Sequence, residues 1–238
     1  MADFIMKEEK NTSGPNASSG IPELSIVLVN YKSADHTREC IRSIRNNVKD
    51  AGCEIIVVDN ASGDGGVETI RKEFPETALI ENQSNLGFAK AVNQGIRSSS
   101  GKYVWLLNND TVVLPGALEA MLQTMDRFPE TGILGCRLLN PDKTPQESFG
   151  RMSGFPGDLA QKLFMNRLME CYSNPLAAKV VDRMYAREKE VGWVCGACML
   201  CRREALEDAG LMDENFFMYK EDVDLCIGVR RRGWGVRY

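Results

Sequence analysis

The chain predicts an α/β architecture, a mostly parallel sheet flanked by helices, and three observations lead to it. Apolar runs of strand length alternate with helical stretches from Leu24 onward, and such alternation implies β–α–β units in a doubly wound sheet. The runs Ile55-Ile-Val-Val58 and Tyr103-Val-Trp-Leu-Leu107 are apolar without interruption, as strands covered on both faces are. Each run then meets polar residues, Asp59-Asn60 in one case and Asn108-Asn109-Asp110 in the other. In open α/β sheets, ligands bind just beyond the carboxyl ends of the strands.

The elements follow in order. Residues 1–22 are polar and rich in Ser, Asn and Gly, without an apolar period, and are expected to form a disordered leader. Leu24–Val29 is the first strand. Cys40, Ile41, Ile44 and Val48 then recur at helical spacing with arginines between them. Glu54–Asp59 is the second strand, and the turn Ser62-Gly-Asp-Gly-Gly66 leads to a helix over Val67–Phe74. Ala78–Ile80 is a short third strand, followed by a loop over Glu81–Phe88, a helix over Ala89–Ser98 and the 103–107 strand. Pro115 suits a helix start, with Met121, Leu122 and Met125 on its apolar side, and Gly132–Cys136 reads as a further strand. Between 140 and 190 the pattern changes to Gly, Pro and Phe punctuation and an isolated helical stretch with Leu163, Phe164, Leu168 and Met169. Residues 150–190 are expected as an insertion over a cleft, less firmly held than the sheet, with packing on the domain as the use expected of these four side chains. Strand signals resume at Gly192-Trp-Val-Cys195, and Trp234–Tyr238 reads as the start of one more strand.

Composition narrows the function classes. A hydrophobic content of 43% and a charged content of 26% suit a soluble globular protein. The net charge of −4 argues against a nucleic-acid surface. No apolar run approaches the roughly 20 residues that span a bilayer, and no export signal is visible, so a cytoplasmic setting is expected. The eight cysteines are then expected as reduced thiols. Cys195-Gly-Ala-Cys198-Met-Leu-Cys201 has metal-like spacing but no matching fourth ligand, and small residues on a buried strand account for it.

Three acidic sites carry chemistry: Asp59, Asp110 and the cluster Glu221-Asp222-Val-Asp224. A carboxylate on a rigid strand end can hold a hard divalent cation, which in turn holds a diphosphate. Asp and Asn at strand ends also build turns, and acids in a first helical turn answer the helix dipole. Together, and without a basic phosphate loop, these sites point to a metal-assisted nucleotide enzyme.

Six segments carry a resemblance to a known family. They are Ser25-Ile-Val-Leu-Val-Asn-Tyr31, Ile56-Val-Val-Asp-Asn-Ala-Ser62, Asn85-Leu-Gly-Phe-Ala-Lys-Ala-Val-Asn93, Leu106-Leu-Asn-Asn-Asp-Thr111, Gly192-Trp-Val-Cys-Gly-Ala197 and Phe216-Phe-Met-Tyr-Lys-Glu-Asp-Val-Asp-Leu225. In this order the chain resembles the inverting glycosyltransferases of family 2, with the GT-A, Rossmann-like fold, nearest the rhamnosyltransferase-like branch. The resemblance covers nearly everything after residue 23 and implies one GT-A domain over 23–238 that lacks its carboxyl-terminal part.

The resemblance implies a role for each site. Val29, Asn30 and Tyr31 lie where the nucleotide base and ribose sit. Asp59 accepts the imide N–H of uracil or thymine, with a turn cap as the rival reading. Asn85, Gly87 and Phe88 line the donor, with a plain turn as the rival. Asp110 is the charged metal ligand, for Mg²⁺ or Mn²⁺, and Asn109 contacts ribose or diphosphate. Asp222 is the base that deprotonates the acceptor hydroxyl, with Glu221 in support. Trp193, Gly196 and Ala197 form the acceptor side, and a buried structural tryptophan is the rival for Trp193. The implied partners are a nucleoside-diphosphate sugar (dTDP or UDP) and a glycan or lipid-linked acceptor, with peripheral contact at the inner face of the membrane. Two departures from the family pattern stand out: Asn108 replaces the first aspartate of the metal motif, and Gly228 replaces an arginine. The family's further metal-binding histidine normally lies beyond 238. These departures keep a second class in view, a transferase-like module that binds nucleotide-sugar or glycan without turnover. A nucleotidyltransferase would need a Gly-rich phosphate loop after the first strand, and Asn30-Tyr-Lys-Ser-Ala34 has none.

Overall fold

Alternation along the first strand divides the molecule into two apolar layers. In β1 (Leu24–Asn30), Leu24, Ile26 and Leu28 are buried on one face and Val27 on the other, because successive side chains of a strand point to opposite faces. In the computed structural model, residues 23–48, 52–151, 163–165, 167–169 and 171–238 are described. The expected leader over 1–22 lies outside them.

Strand and helix alternate as expected through α1 (Ala34–Asn47), β2 (Cys53–Asp59), α2 (Gly66–Glu73), β3 (Ala78–Glu81), α3 (Phe88–Arg97), β4 (Tyr103–Asn108), α4 (Ala117–Arg127) and β5 (Thr131–Gly135). After these come β6 (Phe149–Gly150), α5 (Pro175–Tyr185), β7 (Trp193–Val194), β8 (Cys198–Arg202), α6 (Arg203–Ala209), α7 (Glu221–Arg231) and β9 (Gly235–Arg237). Seven strands form one sheet in the order β3-β2-β1-β4-β8-β5-β9. The pairs β1–β2, β1–β4, β2–β3 and β5–β9 are parallel, and β8 runs antiparallel to both β4 and β5.

One layer packs Cys40, Ile41 and Ile44 of α1, Ile70 of α2 and Met121 and Met125 of α4 against Ile26, Tyr103 and Trp105. The other packs Val92 and Ile96 of α3 against Val27, Val104 and Leu106, and runs on to Leu225 and Val229 of α7. Gly95 lets α3 settle close to the sheet, since a Cβ there would stand 2.4 Å from a Val27 methyl. Trp105 is almost fully buried, and truncating such a side chain to alanine costs about 3–5 kcal/mol.

The second half departs from the expected pattern. At Gly192-Trp-Val-Cys195 only Trp193–Val194 is strand, and it pairs with β6 in a separate two-stranded ribbon. The central strand lies at Cys198–Arg202, where the cysteine-rich run is buried, as its small apolar residues imply. Part of the described 150–190 stretch packs on the core, the use expected of its apolar side chains. Asn174 caps α5 by accepting from the N–H groups of Leu176 and Ala177. Val181 and Tyr185 are buried, and Leu168 and Met169 pack on the same core, while Leu163 and Phe164 are exposed.

Candidate active site

The carboxyl ends of β1, β2 and β4 lie side by side, because Asn30 pairs in register with Asp59 and Val29 with Asn108. Asn30 is the hub. It is fully buried, and its Nδ2 donates to Asp59 Oδ1 at 2.7 Å and to Ser62 Oγ at 3.1 Å. Its Oδ1 accepts from Thr37 Oγ1 at 2.8 Å. Ser62 closes the turn after β2, donating its backbone N–H to Asp59 Oδ2 at 2.9 Å and its hydroxyl to Oδ1 at 2.6 Å. Asn109 joins from β4, donating to Ser33 Oγ at 2.6 Å and to Thr37 Oγ1 at 2.9 Å. Asp59 therefore does cap its turn, and Asn109 ties the β4 end to the start of α1. Asp59 Oδ2, with one partner, keeps room for another donor.

Asp110 differs. It is exposed and, among the described residues, has no hydrogen bond or ion pair. The Thr111 hydroxyl and backbone N–H both return to the Asn108 carbonyl, a turn that presents the carboxylate outward. Val29 is half-buried and Tyr31 exposed at the same edge, with Lys32 Nζ 5.3 Å from the Tyr31 ring.

The loop over residues 85–88 has an internal role that its sequence does not announce. Asn85 Oδ1 accepts from the Gly87 N–H at 3.0 Å, the plain-turn use. Gly87 has φ +87°, and a Cβ on it would stand 2.8 Å from the Phe217 carbonyl oxygen. The close approach that requires glycine is thus to the chain's own Phe217, to which the Phe88 N–H donates at 2.8 Å. Asn60, buried beside Asp59, holds this loop by donating to the Gly87 carbonyl at 3.1 Å. Asn60, Ser62 and Thr37 were not singled out as site residues. Their only sequence signal is a short polar side chain at or just past a strand end, which any turn shares.

The segment held by Gly87 leads into α7. Tyr219 and Lys220 both take left-handed conformations, with φ of 70° and 74°, so the chain turns sharply before Glu221. Asp222 Oδ2 accepts the Gly196 N–H at 2.9 Å, and its Oδ1 accepts the Val223 N–H at 2.8 Å. One residue on, the Ala197 carbonyl accepts the Asn108 N–H at 3.1 Å. Gly196-Ala197 is therefore a two-residue bridge between Asp222 and the Asn108-Asn109-Asp110 motif. Glu221 is buried, and its Oε2 has no hydrogen-bond partner among the described residues. Burial, and then the neighbouring Asp222 charge, push its carboxyl above the usual range. Trp193 is half-buried with its indole against Gly150, where a Cβ would stand 2.4 Å from the ring. One ring face is thus committed to packing.

No group of three or more His, Cys, Asp or Glu side chains that could hold a metal occurs among the described residues. A cavity of about 580 Å³ lined in part by Arg151, Val191, Arg230 and Trp234 shares none of the predicted site residues.

Comparison with known proteins identifies the family. The profile of Glycosyl transferase family 2 matches residues 25–210. The chain is 30% identical over 226 residues to an N-acetylglucosaminyl-diphospho-decaprenol L-rhamnosyltransferase of Mycobacterium tuberculosis, covering 89% of this chain and 71% of that protein. Among solved structures it is similar to a mannosyltransferase from Pyrobaculum calidifontis in complex with GDP-Man and Mn²⁺, with a TM-score of 0.62 at 19% identity. That likeness covers 92% of this chain and 55% of the solved one. S. aureus TarS is similar with a TM-score of 0.62 at 15% identity, covering 90% and 57% respectively. This chain spans just over half the length of each solved structure.

Proposed function

This chain belongs to glycosyl transferase family 2 and has the GT-A fold, and we propose that it moves a hexose from a nucleoside diphosphate to a hydroxyl of a glycan or lipid-linked acceptor with inversion. The mycobacterial relative makes rhamnose the leading donor sugar and a polyprenyl-linked saccharide the leading acceptor class. The observation that supports the reading is the Gly196-Ala197 bridge, which ties Asp222 through two backbone hydrogen bonds to Asn108, two residues before Asp110.

The donor would sit on the carboxyl ends of β1, β2 and β4. The free lone pair of Asp59 Oδ2 suits the imide N–H of uracil or thymine, which favours UDP or dTDP over a cytidine carrier. Val29, Asn30 and Tyr31 flank the base and ribose, Asn109 the diphosphate, and the Asn85, Gly87 and Phe88 loop closes the donor's edge. Asp110 fits a divalent cation in one particular mode. A single outward carboxylate with no protein partner cannot cage an ion, but Mg²⁺ and Mn²⁺ sites commonly use one or two carboxylates and take further oxygens from phosphate and water. A cation held there would offset charge growing on the departing diphosphate.

Asp222 takes the proton of the acceptor hydroxyl as that oxygen attacks the anomeric carbon from the face opposite the diphosphate. Hydrogen bonds from Gly196 and Val223 fix the carboxylate's direction. Glu221, buried and adjacent in the chain, supports it, and Trp193, Gly196 and Ala197 border the acceptor. No described helix is long and apolar enough to cross a membrane. On the lipid-linked reading the enzyme works at the cytoplasmic face through peripheral contact, with residues 23–238 as the catalytic domain.

Calorimetry with Mn²⁺ and UDP or dTDP tests the reading. Asp110→Ala should keep the fold and weaken metal-dependent binding about tenfold or more, at least about 1.4 kcal/mol. Unchanged affinity would remove Asp110 from the site.

A further inference from the structure

All eight cysteines are free thiols, yet two of them touch. Cys136 Sγ lies 3.2 Å from Cys198 Sγ. The ladder explains the contact: β5 and β8 are antiparallel with Gly135 opposite Met199, so one further step sets Cys136 opposite Cys198. Directly opposed residues have Cα atoms about 4.5 or 5.5 Å apart, and both spacings fall within the roughly 4.4–6.8 Å that a disulfide bridges. We propose that Cys136 and Cys198 are a redox pair which a peroxide converts, reversibly, into a cross-strand disulfide beside the Gly196-Ala197 bridge.

The two thiols are unequal in ways that order the chemistry. Cys136 is half-buried just past the end of β5, whereas Cys198 is buried. The contact with Cys198 holds the Cys136 thiol below its ordinary value, and the same contact together with burial raises that of Cys198. Trp105 Nε1 donates to Cys198 Sγ at 3.3 Å and fixes the direction of the second sulfur. The Cys136 thiolate attacks one oxygen of hydrogen peroxide. The O–O bond breaks, Cys136 becomes a sulfenic acid, and the released hydroxide leaves as water with the thiol proton. The Cys198 sulfur then displaces the sulfenic oxygen, forming the S–S bond, and a second water leaves with the Cys198 proton. Two thiols give up two electrons, the peroxide accepts them, and two waters form. A reducing thiol reverses the step by exchange.

Closing the sulfurs to about 2.05 Å draws them together by roughly 1 Å. Cys198 follows directly on Ala197, whose carbonyl holds Asn108, and on Gly196, whose N–H holds Asp222. Oxidation would strain both bonds. The catalytic consequence rests on the active-site reading above, while formation of the disulfide does not.

The test uses the whole chain and hydrogen peroxide, followed by denaturation, alkylation and peptide mapping. Mass should fall by about 2 Da, two of the eight thiols should vanish, and the peptides holding Cys136 and Cys198 should be joined. Dithiothreitol should restore all the thiols. Cys136→Ser should abolish the loss, while Cys195→Ser should leave it intact; circular dichroism checks that each variant is folded. Full retention of thiols, a bridge mapped to Cys195, or loss of two thiols in Cys136→Ser would overturn the pair. Faster hydrogen exchange over residues 195–197 in the oxidised protein supports the link to Asp222, and unchanged exchange there severs it.

Discussion

Asp59 and Glu221 are almost equally buried, at 4% and 7% exposure, and the fold treats them in opposite ways. Asp59 receives hydrogen bonds from Asn30, the Ser62 backbone and the Ser62 hydroxyl. Glu221 Oε2 receives none among the described residues. Burial of a charge is costly when partners are missing and tolerable when they are present. On the proposed reading the donor side is a polar lattice set before any ligand arrives, with one lone pair of Asp59 Oδ2 left over. The acceptor side of that reading carries Asp222 on two backbone N–H groups, with the less well satisfied Glu221 next to it in the chain. On the proposed mechanism, preorganisation is concentrated where a nucleotide would be oriented, and unspent polar capacity where a proton would move.

The contrast is sharpened first by Asp222→Asn. The amide keeps the size but cannot take the proton, and loss of a general base typically costs about 10²–10⁴ in rate. Donor affinity should stay near that of the parent, because the proposed mechanism puts the base on the far side of the sugar. Parental transfer rates would place the base elsewhere, with Glu221 or Asp224 next in line.

On the donor side the corresponding experiment is Asn30→Ala. It removes the hub joining Asp59, Ser62 and Thr37, and a stability loss of about 2–3 kcal/mol is expected by urea unfolding. A loss below about 0.5 kcal/mol, the usual size for an inert surface change, would show that the lattice is not what holds the strand ends together.

Gly228 sits within α7, and a Cβ there would meet Ala209 at an ordinary 3.6 Å. Gly228→Ala should therefore stabilise the helix that carries both acids by about 1 kcal/mol, read as a rise in Tm of about 2–4 °C. A fall in Tm would mean that α7 needs its flexibility to stay folded against α6.

The smallest effect belongs to Glu221→Gln, and its sign depends on pH. The folded-state carboxyl is raised by burial, so it favours the folded state when protonated, and this advantage is lost as pH rises through the folded value. Glutamine imitates the protonated form. The variant should melt higher than the parent at neutral pH, by on the order of one degree, and the gap should shrink as pH falls through the carboxylate range. A gap independent of pH would mean that the Glu221 charge is not the burden.

The parallel half of the sheet was legible because its signals are local. Apolar runs at 24–29, 55–58 and 103–107 and the helical spacing of Cys40, Ile41 and Ile44 reflect side-chain periods of two and 3.6, which neighbouring residues alone can show. The placement of polar residues at strand ends was legible for the same reason. The cysteine-rich run was legible as a buried strand too, but the antiparallel direction of β8 and its separation from Trp193–Val194 were not, since only pairing with β4 and β5 or with β6 sets them.

By itself, then, the sequence determined the α/β class, the order of its first strands and helices, and the segments that mark the family. Tertiary structure alone decided how those segments meet. Gly87 is required by Phe217, Asn30 serves as hub to Asp59 and Thr37, and the Gly196 N–H reaches Asp222. Each of these is set by which backbone groups are left without partners once strands have paired and helices have packed. That remainder exists only in the assembled fold, because a buried donor or acceptor must be satisfied by whatever the rest of the chain brings within reach.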